Sequence, residues 1–171
     1  MIEVRKGTLV MLQKEQLVMY GTIGLCRIVT VLPGEQSYVL EPISQGAGQL
    51  VVSLDNQITV RELLSREEIW EAIRCAAKAE KVWYGNPDMR SLEYRQAERK
   101  TDFSEWIRLS ILIRHAKQKS KRDTLQVSPA DTKVQKVFER LALEEYCSVF
   151  ETERDIAKKE LKQLIKESEV D

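Results

Sequence analysis

The chain has 171 residues, enough for one medium domain or two small ones with a real hydrophobic core. Lys and Arg number 27, as do Asp and Glu, so only the distribution of charge can indicate a nucleic-acid partner. Three cysteines far apart, without metal-ligand spacing, fit a reducing compartment and exclude a disulfide framework. No apolar run approaches the ~18 residues of a membrane span, and charges interrupt the start of the chain, which excludes a signal core. We therefore expect a cytoplasmic protein without a membrane partner.

Residues 1–62 are predicted to form a small β domain. Short runs rich in Val, Ile, Leu and Thr alternate with turns that contain Gly or Pro, which is typical of short strands. Five or six strands over about 60 residues predict a small curved sheet or an SH3-like barrel, with edges that can accept a partner strand. The predicted strands are TLVML, QLVMY, CRIVTVL, SYVLEPI, GQLVVSL and ITVREL.

Residues 63–171 are predicted to form a bundle of about five helices, which gives an α+β chain overall. The SREE sequence at 65–68 is a capping box, and the apolar stripe that follows predicts a helix ending near Trp83. Asn86 and Pro87 are a cap and first-turn pair for a second helix, which is predicted to run to about Lys100. The remaining helices are predicted to start at a capping box of Asp102 and Glu105, at Ser128 with Pro129, and near residue 154.

Signals of an enzyme or a cofactor site are missing from the sequence. The single histidine, His115, is set among basic residues without a paired acid or nucleophile and is predicted to be a surface residue. The GAG sequence at 46–48 lacks the Lys-Ser/Thr pair of a phosphate loop and predicts a hairpin turn. The glutamate pairs 67/68 and 144/145 are predicted to be solvated helix faces. We expect a protein without catalytic activity, metal or cofactor.

Positive charge is concentrated in the middle of the chain. Residues 80–125 hold 11 Lys/Arg against 7 Asp/Glu, whereas residues 126–171 hold 8 against 11. The RHAKQKSKR sequence at 114–122 carries five positive charges in nine residues. Such a run can contact phosphates and release counterions. It can equally be a solvated helix end, where the helix dipole favours cations.

Trp83 lies in this basic part, in the VWYGNPDMR sequence between the first two predicted helices. One interpretation is that its ring closes the core between those helices. The other is that the ring is an apolar wedge beside a positive surface, of the kind that enters a minor groove or stacks on single-stranded bases. The sequence alone leaves both interpretations open.

Seven stretches of the chain, in order, resemble the CarD-like family of bacterial transcription regulators, whose N-terminal domain is shared with transcription-repair coupling factor. The resemblance covers about residues 12–150 and rests on the order of the motifs. The matching stretches are LVMYGTIGLCRI, YVLEP, VVSLDN, VRELLSREE, VWYGNPDMR, KTDFSEWIRL and SPADTKVQKVFERLALEEY.

The resemblance implies a Tudor-like N-terminal domain that binds the RNA polymerase β subunit. It also implies a helical domain that meets promoter DNA at the upstream edge of the melted bubble without strong sequence specificity and stabilises the open complex. The implied protein is a monomer, associated with the nucleoid through polymerase. The rival hypothesis is a module that binds polymerase without a DNA role, and a third hypothesis is an SH3-like RNA-binding or chaperone protein. The resemblance implies a DNA contact at Trp83, with Arg90 as the basic residue that follows it. The concentration of positive charge adds the predicted DNA contacts Arg114, Lys117, Lys119, Lys121, Arg122 and Lys133. The apolar edge strand predicts the polymerase contacts Gln49, Leu50, Val51, Val52 and Ser53.

The chain departs from the family pattern in its N-terminal part. Glu15-Gln16 stands where members usually have a Gly-Asp turn, and Tyr20-Gly21 stands where they have a Tyr-Pro pair. The first ten residues form an extension. At 50–54 the chain reads LVVSL, where many members carry an Arg that contacts polymerase.

Overall fold

The computed structural model of the chain describes residues 12–170 except 33, 45, 47, 54, 55, 57 and 121–125. It is an α+β structure in which five strands precede five helices among the described residues. The strands are β1 (Leu17–Tyr20), β2 (Gly24–Leu32), β3 (Ser37–Pro42), β4 (Leu50–Ser53) and β5 (Val60–Glu62). The helices are α1 (Arg66–Lys78), α2 (Pro87–Lys100), α3 (Phe103–Ser120), α4 (Pro129–Phe150) and α5 (Arg154–Val170).

The strands form one antiparallel sheet in the order β4-β3-β2-β1-β5. The five strands predicted from residue 16 onward are confirmed, whereas the predicted TLVML strand lies outside the described residues except for Leu12. A register shift between Ile28 and Thr30 bends β2 against β3, as an extra residue in one strand does. No pairing between β4 and β5 is seen in the described part, so the sheet is open and two strand edges remain.

The helix starts follow the predicted capping signals. Ser65 and Glu68 form the reciprocal capping box, Asn86 caps α2 ahead of Pro87, and Ser128 caps α4 ahead of Pro129. At α3 only half of the predicted box forms: Asp102 accepts from two backbone N–H groups, while Glu105 bonds to Arg108 instead. Helix α1 ends at Lys78, earlier than predicted, so residues 79–86 form an extended connection.

Two hydrophobic clusters stabilise the sheet and the helices. The larger cluster lies between the helices and includes Trp106, Phe138 and Leu141, and it also takes in Met19 from β1. The smaller cluster belongs to the sheet and includes Val18, Ile28 and Leu40. Because successive residues of a strand point to opposite faces, β1 contributes Val18 to one cluster and Met19 to the other. None of the described helices is long and apolar enough to cross a bilayer.

The expectation that Glu144 and Glu145 form a solvated face is wrong. Glu145 is fully buried and accepts two hydrogen bonds from the Arg61 guanidinium, at 2.6 and 2.7 Å, and one from the backbone N–H of Leu64. Glu144 accepts from the backbone N–H of Leu25 and from the hydroxyl of Ser44. Both carboxylates therefore join α4 to the strand region, because buried charge requires partners of this kind.

Candidate functional site

The α1–α2 connector, residues 79–86, carries the Trp that the sequence singled out. Trp83 is half-buried and packs against the larger hydrophobic cluster. The guanidinium carbon of Arg90 lies 4.6 Å from the centre of its ring, a cation–π arrangement. One ring face is thus covered by Arg90, and the side chain combines a packing role with partial exposure.

Arg90 was expected to contact DNA, but it is 4% exposed and its donors are engaged within the protein. It forms a two-point ion pair with Asp131 of α4, with N–O distances of 3.0 and 3.1 Å. Its Nη1 group donates to the backbone carbonyls of Tyr84 and Gly85. This placement makes Arg90 the residue that fixes the connector to α4, with its guanidinium buried away from solvent.

Asp131 is the centre of that ion-pair cluster. Besides Arg90, it accepts hydrogen bonds from the Tyr94 hydroxyl and from the backbone N–H and hydroxyl of Ser128. Burial alone would raise the pKa of the Asp131 carboxyl, but the hydrogen bonds from Arg90 and Ser128 outweigh it, so the pKa is lowered. For Tyr94, burial and the Asp131 carboxylate raise the pKa, so the phenol keeps its proton.

A second contact fixes the start of the connector to the end of α5. The Lys81 ammonium lies 3.0 Å from Glu169, and the same Glu169 oxygen lies 3.2 Å from His115 Nε2. Partial burial lowers the pKa of His115, and Lys81 and Arg114 add to this effect against Glu169. The histidine is half-exposed and takes part in a helix-end contact.

The most exposed apolar side chains of this region were not among the predicted contacts. Tyr84 is 41% exposed, and Val82 beside it is similarly open to solvent. Met89 and Leu92, one turn apart on α2, are also exposed. In the sequence, the only signal for Tyr84 is its position next to Trp83. Which of these two adjacent rings packs inward depends on Arg90 and on α4, and α4 is far away in the chain.

The predicted basic contacts are placed unequally. Lys119 near the end of α3 and Lys133 on α4 are exposed. Lys117 donates to Gln135 at 2.6 Å, and Arg114 is paired with Glu139 at 3.3 Å. Lys121 and Arg122 lie outside the described residues.

The fold brings part of the predicted DNA-contacting set together. Gly85 and Pro87 of the connector region line the same surface depression as Ser120 at the end of α3 and residues 126–128 before α4. The exposed end of α3, with Lys119, therefore lies beside the connector. The first turn of α4 lies on the other side of the same depression, and Lys133 follows one turn later.

The predicted polymerase-contacting residues lie on or next to β4, a sheet edge. Within the residues that the structure describes, β4 pairs with β3 alone. Val51 is 68% exposed, Val52 is buried in the smaller cluster, and Leu50 is half-buried. Gln49 and Ser53 are exposed at the two ends of the strand. This alternation leaves one apolar side chain, Val51, facing solvent on a strand that has a free edge.

Among the described residues, no group of three or more His, Cys, Asp or Glu side chains is arranged to hold a metal ion. Neither a scan against models of known protein families nor a search of curated proteins found a match to this chain.

Proposed function

We propose that this protein is a non-catalytic transcription regulator that binds the RNA polymerase β subunit and stabilises the promoter open complex. In this proposal the sheet is a Tudor-like domain that carries the polymerase contact. The helical part contacts DNA at the upstream edge of the bubble without sequence specificity. The observation that carries the proposal is the exposed edge strand β4, since the resemblance implies a polymerase contact at that strand.

A strand edge with one outward apolar side chain suits pairing with a strand of another protein. Backbone N–H and C=O groups of residues 50–52 on the side of β4 away from β3 would form the main-chain bonds, and Val51 would supply the side-chain contact. Because residues 50–53 lack charge, the contact would depend on backbone pairing and apolar burial rather than on an ion pair.

Val51→Asp tests the polymerase contact. Since Val51 is exposed, the substitution should leave the melting temperature nearly unchanged, and it should weaken capture of core RNA polymerase at least about tenfold by burying a carboxylate in the interface. Val170→Asp is the matched control, because Val170 is 82% exposed at the end of α5. Capture of core RNA polymerase on a surface that carries the immobilised variant should distinguish Val51→Asp from Val170→Asp. Equal capture by wild type and Val51→Asp would remove β4 from the interface.

The DNA contact of the proposal lies on the connector and the neighbouring end of α3. Trp83 and Tyr84 supply rings, and Lys119 and Lys133 supply exposed cations nearby. An apolar ring at an already open base step avoids part of the few kcal/mol that unstacking costs. Binding would then favour the melted junction over intact duplex and shift the closed-to-open equilibrium.

Separate alanine variants of Trp83 and Tyr84 test the DNA contact. We expect Trp83→Ala to lower stability by about 1–3 kcal/mol, because it removes a half-buried ring and its contact with Arg90. Tyr84→Ala should cost less than about 1 kcal/mol. Open-complex lifetime on a promoter, measured where both variants are folded, should be shortened by Trp83→Ala. Unchanged open-complex lifetimes for both variants would contradict the proposed DNA contact.

The rival function is a module that binds polymerase without contacting DNA. The coverage of one Trp83 ring face by Arg90 favours it, because a packed ring needs no external partner. One experiment, which measures both polymerase capture and the promoter footprint, distinguishes the two functions. The rival expects normal polymerase capture together with an unaltered promoter footprint, whereas the proposed function expects an extended footprint upstream of the bubble.

A further inference from the structure

A groove of about 350 Å³ runs between α3, α4 and α5, away from β4 and from the connector, and Arg114 is the predicted DNA contact that lines it. Its volume lies within the roughly 300–1,000 Å³ that is usual for small-molecule sites. The floor is apolar and buried, and Ile107, Leu143 and Leu161 contribute to it. Small side chains on facing helices, Ser110 and Ala142, leave the space open.

The rim of the groove is strongly basic. Six Lys or Arg side chains line it, against the two carboxylates Glu139 and Asp155. Arg114 is offset by Glu139 and Arg140 by Glu144, but Lys136, Lys158 and Lys162 have no hydrogen bond or ion pair to another described residue. Unpaired cations gathered around a concave site raise the local concentration of anions.

The regular spacing of basic residues along α5 explains how the rim forms. Arg154, Lys158 and Lys162 follow one another every four residues and therefore lie along one side of the helix. Lys136 and Arg140 repeat the same spacing on α4 across the groove. Two basic rows thus face each other over an apolar floor, although residues 126–171 carry more acidic than basic side chains.

A buried polar atom at the groove adds an independent observation. Ser110 lines the groove and is 3% exposed, and its hydroxyl has no hydrogen-bond partner among the described residues. A serine inside a helix normally bonds back to a carbonyl one turn earlier or points to water. An unpaired buried hydroxyl is unfavourable, and a ligand oxygen or N–H at the floor would satisfy it.

We propose that this groove binds a small amphipathic organic phosphate, with the phosphate held between the lysines of α4 and α5 and the apolar body on the floor. The basic rim supplies the recognition of the anion. The aliphatic floor supplies the selectivity for a ligand with an apolar body over a free inorganic anion. The site has the size and chemistry of an effector pocket in a protein whose other proposed contacts are macromolecular.

Three probes separate the parts of the proposed ligand: n-octyl phosphate below its micelle-forming concentration, inorganic phosphate, and 1-octanol. Isothermal calorimetry should give one site for octyl phosphate, with an affinity at least about tenfold higher than that of either other probe. Amide chemical-shift changes should map to α3, α4 and α5. Equal affinities for octyl phosphate and inorganic phosphate, or shifts that map elsewhere, would overturn the proposal.

Variants on one helix provide the matched control. Lys158→Glu with Lys162→Glu should weaken octyl phosphate binding at least about tenfold, because both side chains line the groove. Lys159→Glu with Lys166→Glu makes the same change of net charge on α5 at positions outside the groove, and it should leave the affinity within about twofold. Similar losses in both double variants would mean general charge attraction and would overturn the site.

Ser110→Ala tests whether the buried hydroxyl bonds to the ligand. The affinity for octyl phosphate would not change if this hydroxyl had only a structural role. Removing an unpaired hydroxyl should keep or raise the melting temperature, since nothing within the described residues bonds to it. The same substitution should weaken octyl phosphate binding at least about threefold if the ligand bonds to Ser110. Unchanged affinity would overturn the assignment of this hydroxyl to the ligand.

Discussion

Arg90 illustrates how one residue can change its expected role once the fold is known. The family resemblance implied a DNA contact at Arg90, whereas in the structure its guanidinium covers the Trp83 ring and pairs with Asp131. The ion pair is nearly completely buried, with two N–O bonds, and this geometry compensates the cost of removing both charges from water. Breaking it should therefore affect the connector and α4 together.

Asp131→Asn should destabilise the protein by about 3–5 kcal/mol, because the Arg90 charge stays buried without its carboxylate. Urea unfolding at pH 7 measures the loss. Asp155→Asn is a suitable control, since Asp155 is exposed in the first turn of α5 and should change stability by less than about 0.5 kcal/mol. A loss below about 1 kcal/mol for Asp131→Asn would show that Arg90 is adequately solvated without its partner.

The pH dependence of this difference follows from the lowered pKa of Asp131. A carboxyl whose pKa is lower in the folded state stabilises the protein above its unfolded pKa, which is about 3.9 for Asp. That contribution is lost as the pH falls through the folded pKa, below that value. The stability difference between wild type and Asp131→Asn should thus be largest at pH 7 and shrink below about pH 4.

At the level of elements, Gly24 and Gly85 differ in whether the local structure needs a glycine at that position. Gly24 begins β2 with a φ of +93°, and a Cβ there would collide with the Glu144 carboxylate and contact Leu141. Gly85 in the connector does not have a positive φ, and a Cβ there would meet nothing within 4 Å. The close approach of β2 to α4 therefore needs glycine, whereas the end of the connector does not.

Gly24→Ala should cost more than about 2 kcal/mol, because strained backbone adds to the displacement of Glu144. Gly85→Ala should be neutral within about 0.5 kcal/mol or slightly stabilising, through a smaller loss of backbone entropy on folding. Thermal unfolding of the two variants side by side measures the contrast. A strongly destabilised Gly85→Ala would mean that the connector relies on a glycine conformation at this position.

Local signals account for the parts of the fold that the sequence predicts well. Ser65, Asn86 and Ser128 each cap a helix through atoms within three residues, so the starts of α1, α2 and α4 can be predicted from the sequence. Strand boundaries follow from apolar runs between turns in the same way. The end of α1 has no such signal, because Ala79 caps it in an extended conformation without Gly or Pro.

The parts of the candidate sites that were not predicted depend on residues far apart in the chain. Arg90 and Asp131 are 41 residues apart, and Arg61 and Glu145 are 84 apart. Contacts of this kind decide whether a charged side chain is paired inside the protein or exposed to solvent. They cannot be recognised from periodicity or from the spacing of residues in the sequence. The basic segment at 114–122 was visible because its charges lie close together in the sequence, whereas the cations of the groove come from three different helices.

On the scale of the whole molecule, folding redistributes charges that balance in total but not along the chain. Arg114 comes from the basic middle part, while Lys136 and Lys158 come from a part in which acidic residues are in excess. The fold places all three at one groove and sends Glu145 inward to Arg61. A neutral chain can therefore present a locally basic surface, which net charge alone would not indicate.

The Arg61–Glu145 pair also bears on whether the sheet and the helices unfold together. Arg61 belongs to β5 and Glu145 to α4, and Met19 of β1 lies within the helical cluster. Shared core and a buried ion pair across the two parts predict one cooperative transition. Independent units would instead lose their structure at different denaturant concentrations.

Glu145→Gln should therefore lower the free energy of unfolding by about 3 kcal/mol, at the lower end for a broken buried pair because Arg61 keeps some solvent contact. The strand and helix signals should shift together. Trp fluorescence follows the helical part, which contains Trp70, Trp83 and Trp106, and amide hydrogen exchange follows β1 to β3. Glu139→Gln, which alters an exposed pair with Arg114 and a hydrogen bond from the Gln135 amide, should cost less than about 1 kcal/mol. If the strand amides in the Glu145 variant exchange at a lower denaturant concentration than the Trp transition, the sheet is a separate unfolding unit and the ion pair is the contact that links it to the helices.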